Sequence, residues 1–415
     1  MKRLILVCFL VATIVVFYSS GVFAKSEIVS SINLVNKIQD IAVDGNGIIY
    51  ATTDYSSNAW DGDVFKLQLS GNQLQKISSL RGNGFRNRDA FSEMSILNGR
   101  GYVLSTYSES CGIVADLSTM TIAVPIGMEC QIKDSKIITT DGVDIYIGGG
   151  MLSGGKTVPY VRSYVPLSNG ELNYQSAVTP EGIPEKVFFQ PEKKYLFLAM
   201  GNAGIGAWDT TDPRALWKLG QPRDTFYTAD GYDYFKRAID MVSENQYVYA
   251  LAGDDQCWRG VLAIISLTEP SYDEYWFRFA NQVGGLDIDD GPLFLKKSGN
   301  RIFIATKTSS ILVVDVSDAM KPKLIETISI MATDFEVIED KLIVASDNLL
   351  QVVQLAGEKI VGDINDDGKV DLADAILALQ VTSGKSVTVK VENGVNGKIG
   401  LTEAVYALQK TVGLR

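Results

Sequence analysis

The sequence of 415 residues has no histidine. That absence removes imidazole general bases, histidine metal ligands, Ser-His-Asp hydrolysis and imidazole pH switching in one step. Cysteine is nearly absent too: apart from Cys8, only Cys111, Cys130 and Cys257 are present. Three thiols without histidine form no recognisable zinc pattern. In an oxidising compartment Cys111 and Cys130 can bridge neighbouring strands, leaving Cys257 free or paired between chains. Basic residues are outnumbered, 38 Lys and Arg against 49 Asp and Glu, for a net charge of -11 and a pI near 4.8. A chain with no basic stripe is a poor nucleic-acid binder.

Residues 1–24 read as a signal peptide: Lys2 and Arg3, the apolar run Leu4 to Tyr18, then Val22-Phe23-Ala24 as a small-residue cleavage signal. A retained anchor is the alternative, but the run is short for a spanning helix of about 20 residues. Val7 stands where a lipoprotein signal wants a small residue before Cys8. The expectation is a secreted protein with no membrane span after cleavage.

From Glu27 to about Ala356 the text is all β: short runs of Val, Ile, Tyr and Phe broken by Gly, Asn, Asp and Pro. The strands repeat as units of four. Pro292 to Lys297, Arg301 to Thr306, Ile311 to Val316 and Lys323 to Ile328 form the clearest unit, with turns at Ser298-Gly299-Asn300 and Ser317-Asp318. The centre of the second strand recurs at Tyr50, Tyr102, Tyr146, Phe197, Tyr249, Phe303 and Ile343, at intervals of 52, 44, 51, 52, 54 and 40 residues. Four-stranded propeller blades repeat at roughly this period. The last unit, from Asp334 to Leu355, lacks a fourth strand, which Glu27 to Leu34 can supply to close the circle. The fold class is thus mainly β: a seven-bladed β-propeller over residues 26–357, then a small α-helical domain over 358–415. Six or eight blades, or two sandwiches, are the alternatives.

The second domain carries a calcium pattern. Asp363, Asn365, Asp367, Gly368, Lys369, Asp371 and Asp374 fall at positions 1, 3, 5, 6, 7, 9 and 12 of a twelve-residue loop. A hard cation wants six to eight oxygens, supplied here by side chains at 1, 3, 5 and 12, the Lys369 carbonyl and a water near Asp371. Gly368 permits the sharp turn, and an amphipathic helix from Leu372 to Val381 follows. A weaker second loop holds Glu392, Gly394, Asn396, Gly397, Lys398 and Glu403 at positions 1, 3, 5, 6, 7 and 12; Gly394 offers no side-chain oxygen, so affinity is lower or absent. The loop-helix units echo each other 29 residues apart: Leu372, Ala375, Ala378, Leu379 and Gln380 recur as Leu401, Ala404, Ala407, Leu408 and Gln409. Leu372, Ala375, Ile376 and Leu379, with Leu401, Ala404, Val405 and Leu408, form the faces expected to pack helix on helix.

Two resemblances follow from these residues. Ile311-Leu-Val-Val-Asp-Val-Ser-Asp with Lys321-Pro-Lys-Leu-Ile resembles the LVIVD-repeat propellers of secreted and surface bacterial proteins, and Gly204-Ile-Gly-Ala-Trp-Asp is similar, with Trp208-Asp209 in the Val-Asp position. Residues 361–415, as paired EF-hand-like loop-helix units, resemble a dockerin module. That likeness implies Ca2+ and docking to cohesin domains in cellulase complexes or other surface assemblies. The chain departs from the family at loop positions 10 and 11, where Leu372-Ala373 and Leu401-Thr402 replace the Ser-Thr pair that reads cohesin.

In the propeller, the decorated stretches are Ser56 to Asp63 with Trp60, Arg86 to Asp89 with Arg88, and Asp254 to Arg259 with Trp258. Trp beside Asp and Arg suits a carbohydrate or peptide ligand, because the ring stacks while polar groups bind hydroxyls or charge; loops on the far side of a blade are the alternative. No Gly-x-Ser-x-Gly elbow and no sialidase box is present, and no catalytic residue is singled out. The expected function is a secreted, non-enzymatic binding or scaffold protein docked through its calcium-ordered module. The alternative is a carbohydrate-active enzyme, a carboxylate-dependent hydrolase or lyase, tethered by the same module for polysaccharide catabolism.

Overall fold

The computed structural model describes residues 25–54, 62–81, 91–105, 112–125, 135–219, 223–231, 234–254, 256, 258–268, 278–356, 362–365, 370–389, 394 and 398–411. The chain splits into two compact units, Ser26–Leu355 and one that takes in everything from Ala356 onward.

The first unit is a ring of seven four-stranded antiparallel sheets, or blades. Their innermost strands are Ile38–Val43, Phe91–Leu97, Ser135–Thr140, Lys186–Gln190, Arg237–Glu244, Pro292–Ser298 and Asp334–Ile338. Each packs against the next and the seventh against the first, so the ring closes. The closing blade is completed as the sequence suggested: Glu27–Asn33 pairs antiparallel with Leu349–Gln354 and serves as its outer strand. This joins the two ends of the propeller sequence in one sheet and blunts an edge that would otherwise be open.

The core is not one mass but seven. Each apolar cluster lies between two neighbouring blades: Tyr50 with Phe91, Tyr102 with Ile138, Tyr146 with Leu196, Phe197 with Met241, Tyr249 with Leu295, Phe303 with Phe335, and Ile343 with Ile41. All seven second-strand centres are buried. A strand in such a ring is covered on both faces, which is why these runs read as nearly continuous hydrophobics. Trp208 is the largest fully buried side chain, and Gly206 makes room for it: a Cβ there would lie 2.8 Å from the indole ring.

The recurrent Asp at the end of the third strand has a local role. Asp116 Oδ1 accepts N–H bonds from Ser118 and Thr119, Asp209 Oδ1 from Thr211, and Asp315 Oδ1 from Ser317. These are Asx turns that start the connection to the outer strand. The motif therefore encodes blade geometry.

One element was not foreseen. Between blades 4 and 5 a short hairpin pairs Phe226–Tyr227 with Tyr234–Phe235, burying Phe226 and Phe235 in the cluster between those blades. Gln282, on the outer strand of blade 5, clamps it by accepting from Tyr227 N (2.9 Å) and donating to Tyr227 O (2.7 Å).

The second unit holds two helices, α1 (Leu372–Thr382) and α2 (Leu401–Thr411). They pack on each other, but not by the faces expected. Leu372, Ile376 and Leu379, like Leu401, Val405 and Leu408, are exposed, and of the two expected sets only Ala375 and Ala404 are buried. The true contact face adds Ala378 and Ala407, beside Asp374 and Glu403. Alanine lets the backbones approach closely, and Ile364 fills the remaining space against Ala378 and Ala404. No helix among the described residues is long and apolar enough to cross a membrane.

Candidate functional site

In the first calcium-type loop the structure describes Asp363, Asn365, Asp371 and Asp374, while Asp367 and Lys369 lie outside the described residues. Asp371 caps α1, its Oδ1 accepting from Ala373 N at 2.7 Å. Asp374, one turn on, accepts from Asp371 N at 2.9 Å, completing a capping box with an aspartate in the place of Glu or Gln. Its other oxygen accepts from Ile364 N (2.8 Å) and Asn365 N (3.2 Å). One carboxylate thus ties both ends of the loop to the helix start. Three of its roughly four lone-pair sites are used, leaving one for a cation.

Asp363 is 2% exposed and Asp374 is 1% exposed. Two carboxylates buried in so small a unit are costly unless positive charge or N–H dipoles compensate them. An all-oxygen donor set of this kind suits a hard cation such as Ca2+. Among the described residues alone, no group of three or more His, Cys, Asp or Glu is arranged to hold a metal. In the second loop Glu392 and Asn396 lie outside the described residues, Lys398 is exposed, and Glu403 is buried with Oε2 accepting from Gly400 N at 2.6 Å.

On the propeller, connections from second to third strand and from fourth strand to the next blade emerge on one rim. The strand ends that flank all three decorated stretches, Thr53 and Asp63, Arg81 and Phe91, and Gly253 and Gly260, belong to that rim. Of these, residues 55–61 and 82–90, which include Trp60, Arg86, Arg88 and Asp89, lie outside the described residues, as do Cys111, Cys130 and Cys257. Trp258 is described and exposed. Its backbone N–H donates to Asp254 Oδ1 (2.8 Å), and Lys307 of blade 6 stands 5.2 Å from its ring while donating to Gln256 O at 2.6 Å. The Lys307 ammonium makes a cation–π contact with a ring that otherwise faces solvent.

The central channel holds a cluster that sequence reading missed. Register places Asp40, Ile137, Lys186, Asp240, Phe294 and Asp334 at one level of their inner strands, each opposite the residue two beyond its blade's second-strand centre. Glu93 stands in a bulge at the seventh such position. Three of the acids reach the next blade: Asp40 accepts from Met94 N (2.7 Å), Asp240 from Leu295 N (2.9 Å) and Asp334 from Ile41 N (2.8 Å). Glu93 of blade 2 meets Lys186 of blade 4 at 3.1 Å, and Lys296 meets Glu336 at 2.6 Å.

Burial, then Asp334 and Glu93, push the Asp40 carboxyl well above the ordinary carboxylate value. Burial does the same to Asp240 and Glu336. Glu93 holds Lys186 charged, above the ordinary lysine range, with Asp240 adding to it. Burial opposes charge on Lys296, yet Asp334 and Glu336 outweigh it and hold that ammonium above its usual value as well. The inner strands therefore carry a charge network that also pins neighbouring blades. Its signal in the sequence is a charged residue at this level in five of the seven first strands: Asp40, Glu93, Lys186, Asp240 and Asp334.

Comparison with protein-family models finds no match, and no curated protein matches the sequence. Solved structures do. Sqt1 of Saccharomyces cerevisiae aligns over 80% of this chain and 100% of its own at 9% identity and a TM-score of 0.53. The WD40 repeats of RRP9 align over 80% and 97% at 9% identity and a TM-score of 0.53. The designed protein Ika8 aligns over 79% and 100% at 11% identity and a TM-score of 0.50. Identities this low show the fold alone: a seven-bladed β-propeller, followed in the sequence by a two-helix unit.

Proposed function

We propose that this is a secreted, non-enzymatic binding protein whose propeller presents a recognition rim and whose C-terminal module, ordered by Ca2+ in the first loop, docks it to another secreted or surface protein. One observation carries the reading. Leu372, Ile376 and Leu379 on α1, and Leu401, Val405 and Leu408 on α2, are each between 42% and 61% exposed. They recur at i, i+4 and i+7 on both helices while alanines make the internal contact. Six large apolar side chains on so small a unit mark an interaction surface. The sequence likeness to dockerins supports a cohesin-like partner, and Leu372 and Leu401, at the positions where dockerins carry recognition residues, make the contact here apolar. On the rim, Trp258 with Lys307 and Asp254 offers a platform for a carbohydrate or peptide.

The calcium follows from charge. Five aspartates in one loop repel each other without a cation, so ion binding becomes folding free energy for the module. The test is capture of a partner from secreted and surface proteins of the same source, by the intact chain with calcium, with chelator, and as the Ile376→Lys/Val405→Lys double variant. Capture is expected only for the first. Equal capture by all three refutes the reading.

A further inference from the structure

We propose that the propeller itself binds a hard metal cation, on the rim opposite the decorated stretches, where Asp144 and Asp141 of blade 3 face blade 4. Asp144 stands just ahead of the second strand of blade 3 (Ile145–Ser153), two residues before the buried Tyr146. Alternation turns both side chains to the face that packs on blade 4. The same position in the other second strands holds Ile48, Arg100, Tyr195, Tyr247, Arg301 and Lys341, all half-buried. Asp144 alone of the seven is a carboxylate, and it alone is buried, at 5% exposed. The fold therefore does not require a charge at this place.

Asp144 Oδ1 is shut off from solvent and accepts no hydrogen bond. A buried carboxylate in that state is costly unless a cation reaches it. Lys194 of blade 4 favours the charge electrostatically, but it is exposed and does not bond Oδ1. The surrounding groups supply oxygen. Asp141 Oδ1 accepts from Val143 N (2.9 Å) and Asp144 N (2.7 Å), which seats both carboxylates on one turn. Asp141 Oδ2 accepts from the Tyr146 hydroxyl at 2.9 Å, and that hydroxyl also meets Thr210 of blade 4. Thr210 is buried and donates its hydroxyl to the Lys194 carbonyl at 2.9 Å. Carboxylate, phenol, hydroxyl and carbonyl oxygens together suit a hard cation such as Ca2+. With only two carboxylates the affinity belongs to the weak range of extracellular modules, about 10⁻⁴–10⁻³ M. Burial, then the charge of Asp141, raises the Asp144 carboxyl to about 6. The ion therefore competes with a proton, and binding weakens as pH falls through that value.

Calorimetric titration of the full chain with calcium, paired with thermal melts of the propeller, tests the site. Asp363→Ala removes the ion proposed for the C-terminal module, so the two assignments are read separately. That variant is expected to bind one calcium ion at pH 7.5, about tenfold more weakly at pH 5, and none once Asp144→Asn is added. Asn keeps the shape of the side chain, and the single variant Asp144→Asn is expected to melt above wild type in chelator because an unmet charge is gone. Calcium should raise the propeller's melting temperature in wild type and leave it unchanged in Asp144→Asn. No ion bound by Asp363→Ala, or equal binding with and without Asp144→Asn, overturns the inference. So does a propeller that ignores calcium and loses stability in Lys194→Met, which would assign the neutralising role to that ammonium.

Discussion

Replacing Asp240 by alanine is the sharpest test of how the ring is held. Asp240 is buried, and its two oxygens accept from Met241 N in its own strand (2.8 Å) and from Leu295 N in the next blade (2.9 Å). Alanine strands two buried N–H donors. A hydrogen bond to a charged acceptor contributes about 1.5–3 kcal/mol, and an orphaned buried donor costs a comparable amount. Against this, the substitution removes a carboxylate that burial already disfavours. The balance is a loss of about 2–4 kcal/mol, borne by the contact between blades 5 and 6. Asn restores little, because its amide nitrogen faces one N–H with another donor. Urea unfolding of the full chain, followed by near-ultraviolet circular dichroism, measures the change. A loss below about 0.5 kcal/mol for Asp240→Ala would refute the clasp and indicate that water satisfies both donors equally well.

Stability should also depend on pH in two separate windows. Asp40, Asp240 and Glu336 have native-state values raised above the ordinary carboxylate range. Between the ordinary and the raised values the native state binds more protons than the unfolded chain, so propeller stability rises as pH falls through that window. Lys186 and Lys296 are raised too, so their contribution is complete below the ordinary lysine value of 10.5 and lost as pH rises beyond it. A melting temperature that stays flat from pH 11 to 5 contradicts both. Separately, Gly206→Ala would press a methyl into the Trp208 ring; overpacking of this kind costs about 1–3 kcal/mol, read as a lowered urea midpoint at unchanged slope. No measurable loss would mean that Trp208 can move aside.

The blades were legible because a propeller repeats its instructions. Each second strand carries an apolar centre, each is buried between the same two layers, and the count of centres gives the count of blades. The ring closure was legible for a related reason: a unit of three strands at one end and a lone strand at the other leave one economical pairing. The channel network was not legible. Alternation along an inner strand separates its two faces but does not say which residues of seven distant strands share a level; only register, including the bulge at Glu93, brings Glu93 to Lys186. The hairpin at Phe226 and Phe235 was hidden because two-residue strands carry no period.

The helix faces failed for a more instructive reason. A rule that sends the largest apolar residues inward assumes that the unit's own core is the only place to bury them. Here the close packing of α1 on α2 selects for small volume, and Ala375, Ala378, Ala404 and Ala407 satisfy it. The leucines, Ile376 and Val405 follow the same helical period shifted toward solvent, on both copies of the repeat. Exposing one leucine is common in any protein. Exposing the same three positions twice, 29 residues apart, means that the pattern belongs to the repeat unit itself. A hydrophobic pattern maintained at helical spacing yet exposed on both helices is the surface that the proposed docking partner would cover.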